Sequence, residues 1–139
     1  MLLKLKNEVQ NRLSGTVRRQ LRRFIIVGLC AVGTDAIVYN LLLEAEIGIR
    51  EAKAGGFIAG TIVAYWANKF YTFQTKKLSA FEIMRFAMLY ATSLFANNVT
   101  NSYTIETFGY DHKLVAFLFA TGVSTVMNFL GQKFWVFKR

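Results

Sequence analysis

Proline is absent from the 139 residues, so nothing in the chain forces a kink or break in a long helix. Cysteine occurs once, at Cys30 within an apolar run, which excludes an intrachain disulfide and leaves no compartment signal. A buried, inert thiol is the expected role for it. Histidine also occurs once, at His112, outside every long apolar run, and no metal-ligand cluster is visible. The sequence therefore leads to no expectation of a catalytic site, a metal, a cofactor or enzyme activity. Charge is scarce: 18% of residues are charged and 54% hydrophobic, with a mean hydropathy of +0.33. A soluble domain of this size usually carries more charge. Acids are the scarcer sign, with 8 against 17 bases and a net charge of +9. That balance alone would suggest nucleic acid. The bases, however, lie between apolar runs and not along one soluble face. The anionic lipids of a cytoplasmic leaflet are the better partner.

What is present is a repeated pattern. Residues 52–73 read AKAGGFIAGTIVAYWANKFYTF, with small residues at Ala52, Gly56, Gly60 and Ala64, then the amide Asn68 and Lys69. Sixty-four residues later, residues 116–137 read AFLFATGVSTVMNFLGQKFWVF, and the same spacing gives Ala116, Ala120, Ser124, Asn128 and Gln132. Thr61 and Thr125, Lys69 and Lys133, Phe70 and Phe134, and Phe73 and Phe137 are identical pairs in this register. Self-similarity of this kind points to a duplicated unit. A small-xxx-small line lets helix backbones approach closely within a bilayer.

The expected fold is all-α: a polytopic membrane protein with four transmembrane helices as two parallel-repeat hairpins. A basic amphipathic N-terminal segment, residues 1–23, precedes the membrane domain, residues 24–139. In that segment Leu5, Val9, Leu13, Val17 and Leu21 recur every four residues among seven bases, opposed only by Glu8. Such a helix suits an acidic membrane surface, although a basic tail that only sets orientation fits the same residues. The predicted spans are residues 24–43, 54–71, 83–105 and 114–136. Twenty residues at a helical rise cover about 30 Å, the thickness of a hydrocarbon core. Fourteen of the seventeen bases fall at the termini or around the link between the second and third spans; only Arg50, Lys53 and Lys113 fall elsewhere. Both termini are therefore expected in the cytoplasm, with the short connections at 44–53 and 106–113 outside. Each hairpin then enters from the same side, giving parallel and not inverted repeats.

The Arg23-Phe24 pair, the glycine-rich stretch from Gly28 to Asp35, Arg85-Phe86, and the helix ends Asn68 to Phe73 and Asn128 to Phe137 together resemble the GtrA family of small four-helix membrane proteins. The likeness covers about residues 22–138, with Gln132 where the first repeat has Asn68. It implies a role in moving polyprenyl-phosphate-linked sugars across a membrane for cell-surface polysaccharide. Some relatives are thought to anchor or organise glycosyltransferases instead.

Several residues are candidates for contact with such a ligand. Asp35 lies about twelve residues into a span, where a charge costs several kcal/mol unless paired or hydrated. It is expected to face the bundle interior, with Asn97, Asn98 and Asn101 of the third helix at comparable depth. These groups form either a polar path for a sugar-phosphate headgroup or a structural hydrogen-bond cluster. Lys69 and Lys133 occupy equivalent helix ends, where an ammonium holds a lipid phosphate or simply snorkels. Asn68, Asn128 and Gln132 beside them suit phosphate or sugar hydroxyls, and Arg23 and Arg85 add a second cationic pair. Trp66, Tyr71 and Trp135 fit an interfacial belt. The small-residue lines either pack the second helix against the fourth within one protomer or meet the same line in another subunit. Four short helices leave little room for a closed polar pathway, so a homo-oligomer, most simply a dimer, is expected. Three functions remain open on these residues: a lipid-linked sugar translocator, a non-transporting scaffold for a membrane glycosyltransferase, and a proton-coupled exporter using Asp35.

Overall fold

A single helix of 43 residues, α1 (Leu2–Glu44), opens the chain in the computed structural model, which describes residues 1–138. It runs unbroken through Arg23 and Phe24, so the basic stretch and the first apolar run share one axis. The absence of proline permits this. Helix α2 (Ile49–Ala67) begins at Gly48 and carries Glu51 in its first turn, where an acid complements the helix dipole. It starts five residues before the predicted second span, which shortens the connection and brings Lys53 into the helix. Helix α3 (Ala80–Phe108) starts after extended Ser79 and stops at Gly109. Gly109 has φ +91°, a conformation glycine adopts without a Cβ penalty. A short 3₁₀ turn (Tyr110–His112) leads into α4 (Lys113–Gly131). Arg139, one of the bases counted toward the cytoplasmic side, lies outside the described residues.

Both α2 and α4 end in a π-turn: Asn68–Thr72 follows α2 and Gln132–Val136 follows α4. The turns are 64 residues apart, the register of the repeat. Each closes with the same backbone bond, from Phe73 N–H to the Asn68 carbonyl and from Phe137 N–H to the Gln132 carbonyl, both 2.8 Å. Isolated π-turns within helices recur at functional sites.

The chain divides into two compact units, Met1–Lys76 and Lys77–Arg139. The first is the antiparallel hairpin of α1 and α2. Its crossing is built on Gly56 and Gly60: a methyl group on Gly60 would lie 2.7 Å from the Ala31 carbonyl oxygen, and one on Gly56 would lie 2.6 Å from that of Asp35. Backbone therefore meets backbone, and Ala52 and Ala64 extend the same buried line. The second unit is the hairpin of α3 and α4. There Ala116 and Ala120 are buried, and Ser124 and Asn128 are half-buried where the line turns polar.

Large apolar side chains cover the outside of both hairpins. Ile25, Leu29, Val32, Ile37 and Leu41 on α1, and the consecutive Phe117, Leu118 and Phe119 on α4, are all exposed. A helix that is apolar on its outward face suits a lipid solvent. Cys30 is exposed among these residues and not buried as expected, because the apolar run it belongs to faces outward and not into a protein core. Two stretches, Leu2–Glu44 and Tyr110–Val136, are long and apolar enough to cross a membrane. In α2 the charged Arg50, Glu51 and Lys53 lower the hydropathy, and in α3 the polar run from Ser93 to Ser102 does the same.

Candidate functional site

In the first hairpin, polar groups gather where the start of the apolar run in α1 meets the π-turn after α2. Asn68, Lys69 and Thr72 are all buried, with Lys69 at 0% exposure. The i+5 step of the π-turn swings these side chains inward. The Thr72 hydroxyl donates to the Asn68 side-chain oxygen at 2.8 Å, and Lys69 Nζ reaches the Thr75 hydroxyl at 3.5 Å. The Arg23 guanidinium donates to the Tyr71 carbonyl at 2.9 Å and lies over the Tyr71 ring, 4.7 Å from its centroid. Phe24 and Phe73 are buried beside this cluster. Gln74, just beyond the turn, holds a left-handed φ of 53°.

The corresponding end of the second hairpin has the same plan with different chemistry. Arg85 Nη2 reaches the Val136 carbonyl at 3.4 Å, as Arg23 reaches Tyr71. Phe86 and Phe137 are buried, with ring centroids 6.3 Å apart. Gln132 stands in place of Asn68 at 0% exposure, yet no group among the described residues meets hydrogen-bond geometry with either of its amide atoms. The Tyr90 hydroxyl faces that amide from α3. Asn128 Oδ1 and Arg85 Nε are likewise buried without a partner among the described residues. Lys133 is half-buried, with Nζ 5.7 Å from the centroid of the Phe134 ring. Glu82, in the first turn of α3, is buried as well.

A second polar step lies deeper in each hairpin. Asp35 pairs with Lys53: Nζ lies 3.1 Å from Oδ1 and 3.0 Å from Oδ2, with side-chain exposures of 21% for the acid and 62% for the base. Asp35 is twelve residues beyond Arg23, or about 18 Å along the helix axis. In the second hairpin the Asn97 amide donates to the Ser124 hydroxyl at 3.1 Å. Asn101 is half-buried on the side of α3 that carries Asn97, and Asn98 is exposed. Asp35 thus finds its partner within its own hairpin, in a lysine that the sequence assigned to a loop.

The sequence comparisons agree with this architecture. The family model described as "GtrA/DPMS, transmembrane domain" matches residues 23–137. The chain belongs to the GtrA/DPMS transmembrane-domain family. The match begins at Arg23, the residue that ties α1 to the first π-turn, and ends at Phe137, which closes the second. An uncharacterized membrane protein, YngA of Bacillus subtilis (strain 168), is 32% identical over 122 residues, covering 86% of this chain and 80% of YngA. No solved structure matches. With the family assigned and apolar helix faces exposed, the chain is a membrane protein.

Within this GtrA/DPMS domain, sequence reasoning had named Arg23, Asn68 and Lys69 for one helix end, and Arg85, Asn128, Gln132 and Lys133 for the other. The structure brings each set together within its own hairpin. It adds Thr72, Thr75, Tyr90, Lys53 and Ser124. A signal existed for two of these. Lys53 precedes Gly56 by three positions and so shares a helix face with the close crossing. Ser124 occupies the place of Gly60 in the 64-residue register.

Proposed function

We propose that this chain carries polyprenyl phosphate, or a polyprenyl-phosphate-linked sugar, across the cell membrane for cell-surface polysaccharide synthesis. The observation that carries the reading is the fully buried Lys69 in the first π-turn, flanked by Asn68, Thr72 and Arg23. An ammonium removed from solvent is costly. An ionisable group kept within a membrane domain is by default a functional candidate. A lipid phosphate at headgroup depth is the anion that suits it while the prenyl tail remains among the acyl chains. Deeper in, Asp35–Lys53 and Asn97–Ser124 give each hairpin one polar step near mid-span for the head to pass. Family membership supports the substrate class.

In this reading all four helices cross the membrane and both termini are cytoplasmic. The two hairpins run parallel, and the protein forms a homodimer through other surfaces, since Ala52, Gly56, Gly60 and Ala64 are buried against α1. Neighbouring steps belong to a membrane glycosyltransferase. The protein itself makes and breaks no bond, and transport follows a substrate or proton gradient. Flipping of a labelled polyprenyl-phosphate sugar in proteoliposomes tests the proposal. Flipping above the rate of empty vesicles, lost in Lys69→Ala and reduced in Asp35→Asn, supports it. Equal rates with and without protein reject it.

A scaffold role is the second reading, and one observation favours it. The first 22 residues of α1 continue the spanning helix with seven bases and an exposed row of Leu5, Val9, Leu13, Val17 and Leu21. That surface suits recruitment of an enzyme or of acidic lipid. The exporter reading loses ground because Asp35 has Lys53 as a counter-ion.

A further inference from the structure

Duplicated units that have diverged expose their separate tasks where equivalent residues differ. The two π-turns differ at one position with a chemical consequence. In the first, Thr72 supplies the hydroxyl that closes on the Asn68 amide. In the second, the position 64 residues on is Val136, which has no hydroxyl. The amide equivalent to Asn68 has also grown by one methylene, to Gln132. The second turn therefore keeps a buried amide and has lost the hydroxyl that closes on it within the turn, which leaves the Tyr90 hydroxyl of α3 as its polar neighbour. Gln132 Nε2 and Oε1, Asn128 Oδ1 and Arg85 Nε are the four buried side-chain polar atoms without a partner among the described residues, and all four belong to the α3–α4 hairpin. Gln132 and Asn128 are four residues apart, hence on one face of the helix. Arg85 reaches the backbone of the same π-turn, and the Tyr90 hydroxyl faces Gln132. Native proteins satisfy nearly all buried polar groups, so a cluster of exceptions calls for an explanation.

The chemistry of the set is specific. It offers donors from Arg85 Nε and Gln132 Nε2, acceptors from Asn128 Oδ1 and Gln132 Oε1, and a hydroxyl that does either. A phosphate only accepts and leaves the two oxygens unmet. A vicinal diol donates and accepts at neighbouring atoms and meets both kinds. We propose that the second π-turn is a hydroxyl-binding subsite that holds the sugar ring of a polyprenyl-phosphate-linked glycoside. This rests on the translocator reading and assigns recognition of the sugar to the second hairpin.

The test uses the full chain in nanodiscs and two probes, a polyprenyl phosphate and its glucosyl phosphodiester, with affinity read from ligand-induced shifts in melting temperature. Wild type is expected to bind the glucosyl lipid more tightly than the bare phosphate by about five- to tenfold, the yield of one or two hydrogen bonds. Gln132→Leu removes the amide at similar volume and abolishes that preference without weakening the bare phosphate. Val136→Thr restores the hydroxyl of the first repeat, closes the amide internally, and abolishes the preference too. Because Val136→Thr satisfies a buried group, the ligand-free protein is expected to melt no lower than wild type, so misfolding does not account for its loss. Binding of both lipids without preference, or a preference kept in both variants, overturns the subsite and leaves the translocator reading standing. Binding of neither lipid by wild type overturns both.

Discussion

Substitution of Gly60 by alanine tests the helix crossing on which the first hairpin depends. The added methyl would stand 2.7 Å from the Ala31 carbonyl oxygen and 3.3 Å from Asp35 Cβ. Carbon–oxygen contacts between close helices begin near ~3.3 Å, so the shortfall is about 0.6 Å. The obstacle is backbone, which has no rotamer to change, so α1 and α2 must separate by about that amount. A gap of this size forfeits roughly a quarter of the dispersion energy across each affected contact. Overpacking of this kind costs about 1–3 kcal/mol. Alanine's advantage over glycine within a helix offsets about 0.5–1 kcal/mol of it. The net expectation is a loss of about 1–2 kcal/mol. Gly28 provides the control, because a methyl group there meets nothing within 4 Å. Gly28→Ala is expected to gain about 0.5–1 kcal/mol by the same helix advantage. Equilibrium unfolding in a detergent series with increasing dodecyl sulfate, followed by circular dichroism, measures the difference. A Gly60→Ala variant as stable as Gly28→Ala would refute the crossing.

Three further outcomes follow from the same geometry. Lys53→Met strips Asp35 of its counter-ion and is expected to cost about 1 kcal/mol, a modest figure because Lys53 is largely exposed; the double variant Asp35→Asn, Lys53→Met recovers most of this in the same unfolding series, since both charges are gone. Thr72→Val leaves the buried Asn68 oxygen without its donor and should lower stability by about 1–3 kcal/mol, whereas Val136→Thr in the second repeat lowers it not at all; equal effects of the two changes would contradict the difference between the turns. In a Cys30→Ser background, a membrane-impermeant maleimide applied to intact cells is expected to label Glu46→Cys, in the connection after α1, and to spare Lys77→Cys until the cells are lysed; the opposite pattern inverts the proposed orientation.

The small-residue line was legible as a close approach because its cause is local, but its partner was not: the expected partner was the fourth helix or a second subunit, and the line packs on α1. Where Ala52, Gly56, Gly60 and Ala64 recur every fourth position, a close approach is the only use for so many missing side chains, and all four are buried. Gly109 was likewise readable as a break. The π-turns were not. They follow no composition rule, since Asn68–Thr72 and Gln132–Val136 share only Lys and Phe at equivalent places. The aromatics that anchor them, Phe24 with Phe73 and Phe86 with Phe137, come from distant parts of each hairpin. The start of α2 was misjudged for a related reason. Hydropathy falls across Arg50, Glu51 and Lys53, so the apolar signal begins late, while the helix itself needs only backbone bonds and begins at Ile49.

The duplication was itself only half visible, and the structure supplies the other half. In α2 and α4 equivalent residues are 64 apart. In α1 and α3 the offset is 62: Arg23 with Arg85, Phe24 with Phe86, Val27 with Leu89, Ala31 with Ser93, and Asp35 with Asn97. A search at one fixed period matches one helix of each hairpin and misses the other. The two extra residues enter the second hairpin between Asn97 and Ala116, where α3 ends at Gly109 and the 3₁₀ turn follows. With both offsets in hand, the paired differences become meaningful. Asp35 lies against Gly60 in the first hairpin, and its charge is met by Lys53. In the second, Asn97 lies against Ser124 at the same two places, so a neutral pair replaces an ion pair. At the π-turns the lysine is kept, as Lys69 and Lys133, and the change lies beside it: Asn68 with Thr72 in the first turn, Gln132 with Val136 in the second. The deeper step of the second hairpin has moved from charge to neutral polarity, while its π-turn has lost a hydroxyl and kept Lys133, Phe134 and Phe137 at the places of Lys69, Phe70 and Phe73. Exposed outward positions differ as well, as at Ala54/Leu118, Phe57/Thr121 and Ile58/Gly122, where lipid tolerates any apolar or small side chain. At equivalent inward places the first hairpin thus holds an ion pair and a closed amide–hydroxyl contact. The second holds a neutral pair and a buried amide without a hydroxyl in its own turn, so the two hairpins present different chemistry to a ligand.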